Sequence, residues 1–253
     1  MLLKGKNAII YGGGGSVGGA VARAFGREGA RVFLAGRTRA TLEKVADQIR
    51  GAGGAAETAE VDALNERSVD EHAAAVVAEA GSIDVSFNVI SDSDVQGTPM
   101  IDMSLEDYLS PVVTAVSSKF LTARAAARHM AGQRSGVIMA FGGPGDRGSM
   151  RHYNLGGLLV AFDAVESMRR QLASELAPYG IRVVTLQTGG LPETIPAGAG
   201  QGKAIENDLV GRTLTGRAAS LEDVGNVAVF AASDWARTMT GSAINMTCGA
   251  VLD

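Results

Sequence analysis

The residues best suited to chemistry lie near the beginning of the chain: four consecutive glycines, Gly12 to Gly15, followed by Ser16, Val17, Gly18 and Gly19. A short apolar run, Ala8, Ile9, Ile10 and Tyr11, leads into them. Val21, Ala22, Phe25 and Gly26 follow at helical spacing, with a stop at Gly29 and a second apolar run from Arg31 to Ala35. The order is strand, glycine turn, helix, strand. Such a turn lets an anion sit against backbone N–H groups at a helix N-terminus, where any Cβ would hold it away. A glycine run alone would equally make a surface loop. The flanking strand and helix supply the context that a pyrophosphate site requires, so the expectation here is a dinucleotide.

The charge at the end of the second strand bears on which dinucleotide. A carboxylate there would hold two ribose hydroxyls and repel a 2′-phosphate. The chain instead reads Ala35-Gly36-Arg37-Thr38-Arg39, without an acid. Arg37 offers a planar fork for phosphate oxygens, which predicts NADP(H) in preference to NAD(H). The competing reading makes Arg37 and Arg39 solvated charges at a helix start, where the macrodipole slightly disfavours them.

The elements that position these residues alternate along the whole chain. Thr38 opens a helix through Leu42, Val45, Ala46 and Ile49, and a third strand ends at Val61 and Asp62. A helix from about Asn65 to Ala80 precedes Ile83 to Ile90, apolar enough for the middle of a sheet covered on both faces. Ser104 with Asp107 resembles a capping box and opens a long helix to about Met130. Strand Val137 to Phe141, a helix from about Asn154 to Ala177, strand Ile181 to Leu186, a helix capped by Ser220 and Asp223, and strand Ala243 to Met246 complete the series. Seven strands with helical crossovers predict a doubly wound parallel sheet with helices on both faces, in one α/β domain spanning residues 1–253.

Composition narrows the class further. The 253 residues are 46% apolar and carry a net charge of −4, so no broad attraction to nucleic acid is expected. The 34 glycines exceed the usual ~7% and fall largely at predicted strand-to-helix turns. No apolar run approaches the ~20 residues of a membrane span. No signal-peptide core is visible, and the single cysteine, Cys248, cannot form an intrachain disulfide. A cytoplasmic protein acting on a small molecule, with no metal centre, no membrane and no nucleic-acid partner, is expected.

These features resemble the short-chain dehydrogenases/reductases over nearly the whole chain, and the resemblance implies a Rossmann-like fold. The turn is similar to that family's TGxxxGxG, with Tyr11 for the threonine, Gly12 matching, Ser16 for the middle glycine, as in the enoyl-reductase branch, and Gly18 matching. Asp62 matches the acid that contacts adenine, and Asn88 the first asparagine of NNAG, here Asn88-Val89-Ile90-Ser91. Leu172 to Val183, and Ala232-Ser233-Asp234 leading to Thr240-Gly241, are also similar to family segments. The expected cofactor contacts are Gly12, Gly14, Gly15, Ser16, Val17, Gly18, Arg37, Asp62, Asn88 and Gly189.

The resemblance also implies a catalytic Tyr-x-x-x-Lys pair, a serine and an asparagine. A tyrosine of pKa near 10 delivers a proton when a neighbouring cation stabilises its anion. Counting back from Leu172 and Glu175 puts Leu158 at the tyrosine and Phe162 at the lysine. The serine position falls on Gly143, and the asparagine position falls on Ala115. No tyrosine or lysine lies between Asn154 and Ala177, so no shift of register recovers the pair. Tyr153, beside His152, is the substitute acid in that region, and His152 could titrate near neutrality. Both also read as loop residues covering the pocket, and Asp163 and Glu166 as surface or subunit-contact charges.

Two functions compete on these grounds. One is an NADP(H)-dependent oxidoreductase with a degenerate catalytic site, moving a hydride to or from a small carbonyl, hydroxyl or enoyl group. The other is a catalytically silent NADP(H)-binding sensor, regulator or assembly partner. A homodimer or homotetramer is expected through the two long helices. The small residues Ala115, Ser118, Thr122, Ala125 and Ala126 either allow close approach of a partner or pack on the sheet. The segment Gly189 to Gly202 reads as a mobile lid or as a plain linker.

Overall fold

A computed structural model describes residues 1–145, 153–195 and 202–252. Its strands are β1 (Asn7–Tyr11), β2 (Arg31–Gly36), β3 (Ala55–Glu60), β4 (Val85–Asn88), β5 (Gly136–Gly142), β6 (Ile181–Gln187) and β7 (Ser242–Asn245). The helices are α1 (Ser16–Arg27), α2 (Arg39–Gly51), α3 (Glu66–Ala80), α4 (Leu105–Gln133), α5 (Gly157–Leu176), α6 (Gly202–Gly211) and α7 (Leu221–Ala232). The strands form one sheet in the order β3-β2-β1-β4-β5-β6-β7, with every neighbouring pair parallel. The expected doubly wound parallel sheet is therefore the observed one.

Alternation along β1 explains how both faces are filled. Ala8 and Ile10 point to a core shared with Val21 and Phe25 of α1, Leu42 of α2 and Val224 of α7. Ile9 and Tyr11 point to the opposite core, with Val69 of α3, Met130 of α4 and Ala173 of α5. β4 is buried along its length, as a central strand must be.

Helix ends follow local chemistry. Asn65 accepts from the Ser68 N–H at the start of α3, and Gly81 closes that helix in the left-handed region. Ser104 accepts from the Asp107 N–H at the start of α4, and Ser220 with Asp223 forms a complete capping box on α7.

Several boundaries differ from the sequence reading. β3 ends at Glu60, which leaves Asp62 in the turn beyond it, and β4 covers only the middle of Ile83 to Ile90. α5 begins at Gly157, after Asn154 and Gly156 adopt positive φ, a conformation that breaks helical register. α6 was not anticipated, because its one buried residue, Leu209, gives almost no apolar periodicity. Residues 189–195, at the start of the segment read as lid or linker, carry the 3₁₀ turn Pro192–Thr194; positions 196–201 lie outside the described residues.

The small residues of α4 resolve in favour of packing within the chain. Ala115, Ser118, Thr122, Ala125 and Ala126 are all buried, while Leu105, Leu109, Val113 and Phe120 are the exposed apolar residues of that helix. No helix among the described residues is long and apolar enough to cross a membrane.

Candidate active site

The sheet order reverses between β1 and β4, where the chain leaves β1 toward β2 on one side and returns on the other. In an open parallel sheet this is where a crevice forms beyond the carboxyl ends of the strands. A cleft of about 780 Å³ lies there, bounded by the β1–α1 turn, the end of β2 and the segments after β4, β5 and β6. That volume suits a ligand of cofactor size.

Glycine is required at the turn by contact as well as conformation. Gly12 has φ +85°, and a Cβ on it would lie 3.0 Å from the Val89 carbonyl oxygen. A Cβ on Gly14 would lie 2.4 Å from Thr41 Oγ1, and one on Gly18 only 2.2 Å from the Gly12 carbonyl oxygen. The turn is thereby pressed onto α1 with bare backbone along the cleft. Gly15, the N-cap of α1, makes no side-chain capping bond, and the first turn holds no acid. Gly14, Gly15, Ser16, Val17 and Gly18 all line the cleft. An uncapped N-terminus there carries roughly half a positive charge and unclaimed N–H donors, the chemistry a pyrophosphate needs.

Arg37 lies exposed at the cleft, directly after β2. It has no ion-pair partner among the described residues, whereas Arg39 sits 3.8 Å from Glu43. Asp62 also lines the cleft, with Oδ1 accepting from the Leu64 N–H at 3.0 Å.

Two expected contacts stand elsewhere. Asn88 is buried behind the cleft wall, where its Nδ2 donates to Thr122 Oγ1 and its Oδ1 accepts from the Ile90 N–H. It ties the end of β4 to α4 and so aims Val89, Ile90 and Ser91 at the cleft. Gly189 is not a wall residue; its neighbours Thr188 and Gly190 are.

The positions matched to catalytic residues hold apolar side chains and close packing. Leu158 and Phe162 of α5 line the cleft. Gly143, just past β5, is buried so closely against Phe162 that a Cβ on it would lie 2.5 Å from the ring. Ala115 of α4 is fully buried with Ala161 and Val165. The expectation that Glu166 is a surface or subunit-contact charge is corrected: it is 7% exposed and paired with Arg169 at 2.6 Å.

His152 lies outside the described residues. Tyr153 is described and is not a wall residue of the cleft. Its backbone carbonyl accepts from the Gly97 N–H at 3.0 Å, its hydroxyl donates to Asp208 of α6, and the Arg212 guanidinium lies over its ring. It thus joins three segments at the rim. Burial and the Asp208 carboxylate push its phenol up to about 12, away from proton delivery near neutrality.

The sequence reading overlooked an ion pair at the cleft floor. Lys119 of α4 places Nζ 2.6 Å from Asp92 Oδ1, with the two side chains 4% and 9% exposed. Asp92 lines the cleft, as does Ser118, whose buried Oγ has no partner among the described residues. Burial raises the Asp92 carboxyl above the usual aspartate range, Lys119 works against this, and Asp94 adds to it. The signal was present: Lys119 is the only lysine between Lys44 and Lys203, and it adjoins the inward stripe of Ala115, Ser118 and Thr122. Among the described residues no group of His, Cys, Asp or Glu is placed to hold a metal ion.

A family model described as Enoyl-(Acyl carrier protein) reductase matches residues 13–250. The L-rhamnose 1-dehydrogenase (NAD(P)(+)) of Azotobacter vinelandii is 32% identical over 254 residues, covering 96% of this chain and 96% of that protein. The enoyl-(acyl-carrier-protein) reductase (NADH) of Aquifex aeolicus is 29% identical, covering 98% and 92%. The crystal structure of a short-chain type dehydrogenase/reductase from Mycobacterium marinum superposes with a TM-score of 0.87 at 28% identity, covering 99% and 97%.

Proposed function

The chain belongs to the short-chain dehydrogenase/reductase superfamily, and from this we propose that it is an oxidoreductase that binds NADP(H) in preference to NAD(H), with an altered proton-delivery apparatus. The observation that carries the cofactor preference is Arg37, without an ion-pair partner among the described residues and placed just after β2, where an acid would select NAD(H). The residues fit the cofactor, because Gly14, Gly15, Ser16, Val17 and Gly18 bring the uncapped N-terminus of α1 to the cleft wall.

The N–H groups of the first turn of α1 would hold the pyrophosphate, Arg37 the 2′-phosphate and Asp62 the adenine end. The bound dinucleotide supplies or accepts a hydride. Leu158 and Phe162 give the cleft an apolar wall that keeps water from the reacting centre. A small carbonyl, hydroxyl or enoyl substrate is supported by relatives named as a sugar dehydrogenase and an enoyl reductase. The test is oxidation of bound NADPH on mixing with aldehydes, ketones and enals. Loss of reduced-nicotinamide absorbance supports the oxidoreductase.

One observation favours a second reading, a silent NADP(H)-binding sensor, regulator or assembly partner. Phe162 occupies the space beside Gly143, so the matched positions offer no proton donor. Saturable NADPH binding without oxidation of any panel member would select it. We further infer a homodimer or homotetramer, supported by the exposed apolar side chains Leu105, Leu109, Val113 and Phe120 of α4 and Val160 of α5. Sedimentation at micromolar concentration checks this, and a monomer would contradict it.

A further inference from the structure

Burying an unpaired charge is unfavourable by several kcal/mol, so a buried ion pair beside a ligand cleft calls for an explanation. Of the five lysines in the chain, Lys119 alone is buried. Its partner Asp92 sits in the segment after β4, on the cleft wall that Ser118 also lines, the buried Ser118 Oγ having no partner among the described residues. Behind this floor lies a cavity of about 20 Å³, room for a single water, lined by Lys119 together with Asn88, Thr122, Arg169 and Thr185.

Resting on the oxidoreductase reading, we propose that Asp92 is the catalytic acid/base of this site and Lys119 its positioning cation, together replacing the tyrosine–lysine pair of the family. The logic is that of a group whose proton affinity is set by an adjacent cation, with a carboxyl in place of a phenol. In the reductive direction the Asp92 O–H bond breaks and an O–H bond forms on the substrate oxygen, while the carbon bonded to that oxygen takes a hydride from a reduced nicotinamide. The Asp92 carboxylate left behind faces the Lys119 ammonium and regains its proton from solvent through the cleft. Oxidation runs the same step in reverse.

The charged groups around Asp92 set the sign of its titration. Lys119 lowers its pKa, while burial and Asp94, two residues along the same segment, raise it. Arg169 of α5, ion-paired with Glu166, lines the same small cavity as Lys119. Removing the Lys119 charge therefore moves the Asp92 titration to higher pH.

The test combines NADPH titration, single-turnover oxidation of bound NADPH by a panel of aldehydes, ketones and enals as a function of pH, and ¹³C NMR of labelled aspartate carboxyls. The single-turnover rate of the unaltered protein should fall as pH rises through the Asp92 titration. Asp92→Asn should lower the rate by roughly 10²- to 10⁴-fold with NADPH affinity unchanged. Lys119→Met should shift the Asp92 carboxyl resonance to higher pH and the rate profile with it; a merely structural ion pair would move the resonance and leave the rate profile where it was. If either variant fails to fold, the double variant D92N/K119M, which removes both buried charges together, carries the rate test.

An Asp92→Asn protein with full rate would overturn the proposal, as would a pH profile unmoved in Lys119→Met. Loss of turnover in Tyr153→Phe with Asp92→Asn unaffected would transfer the role to Tyr153. Binding of NADPH without turnover would overturn the proposal and select the silent binder. Failure to bind NADPH would instead overturn the cofactor reading itself.

Discussion

A Cβ placed on Gly143 would lie 2.5 Å from Cε2 of Phe162, closer than such atoms approach in folded proteins. The two residues are complementary: the aromatic ring fills the space that a side chain after β5 would need. Gly143→Ser should therefore destabilise the protein by about 1–3 kcal/mol through overpacking. In a Phe162→Ala background the same change should be nearly neutral, giving a coupling of about 1 kcal/mol or more by urea unfolding. Additive effects would show that the two positions are independent.

Arg37 should discriminate between the nucleotides. Arg37→Ala removes a charged donor to phosphate worth about 1.5–3 kcal/mol, so NADPH should bind roughly ten- to a hundredfold more weakly. NADH, lacking the 2′-phosphate, should be almost unaffected. Equal losses for both nucleotides, measured by calorimetry, would assign Arg37 another role.

Gly18 tests the cradle. A Cβ there meets the Gly12 carbonyl oxygen at 2.2 Å, with backbone on both sides of the clash and no flexible side chain to yield. Gly18→Ala should lower the melting temperature and abolish saturable NADPH binding. Gly53, with open space around its Cβ position, makes a poor comparison because its φ is +84°; Gly51→Ala is the suitable control.

His72 of α3 gives a pH dependence of stability. Its ring meets Tyr11 edge-on at 5.8 Å, and burial pulls its pKa from 6.5 down to about 4. The folded protein holds the neutral form while the unfolded chain protonates near 6.5. The stabilisation is thus complete above about pH 6.5 and is lost as pH falls toward 4, on the order of 3 kcal/mol in all. Urea unfolding at stepped pH should show this slope, and His72→Gln should flatten it over the same interval.

Much of this molecule was legible in its sequence, for physical reasons that also explain what was not. Ile9 and Ile10, pointing to opposite cores, made β1 readable, and of the glycines after it Gly18 is held by backbone contact that leaves no room for a Cβ. Asn88 was assigned to the cofactor by resemblance, yet it is buried and bonded to Thr122 of α4. Its distance from the cleft depends on how α4 packs, which spacing along the chain does not encode. The same holds for Lys119 and Asp92, 27 residues apart in sequence and joined only by the docking of α4 on β4. The sequence offers Tyr153 as a substitute acid or a loop residue covering the pocket and does not disclose its partners, Gly97 and Asp208, because they belong to two distant segments.

The account depends on a cleft built for a phosphorylated dinucleotide, and calorimetric titration of the purified protein with NADPH and with NADH tests that most directly. Saturable binding of both, with NADPH tighter by at least about tenfold, is the predicted result. Tighter binding of NADH, or no saturation by either nucleotide, would contradict it.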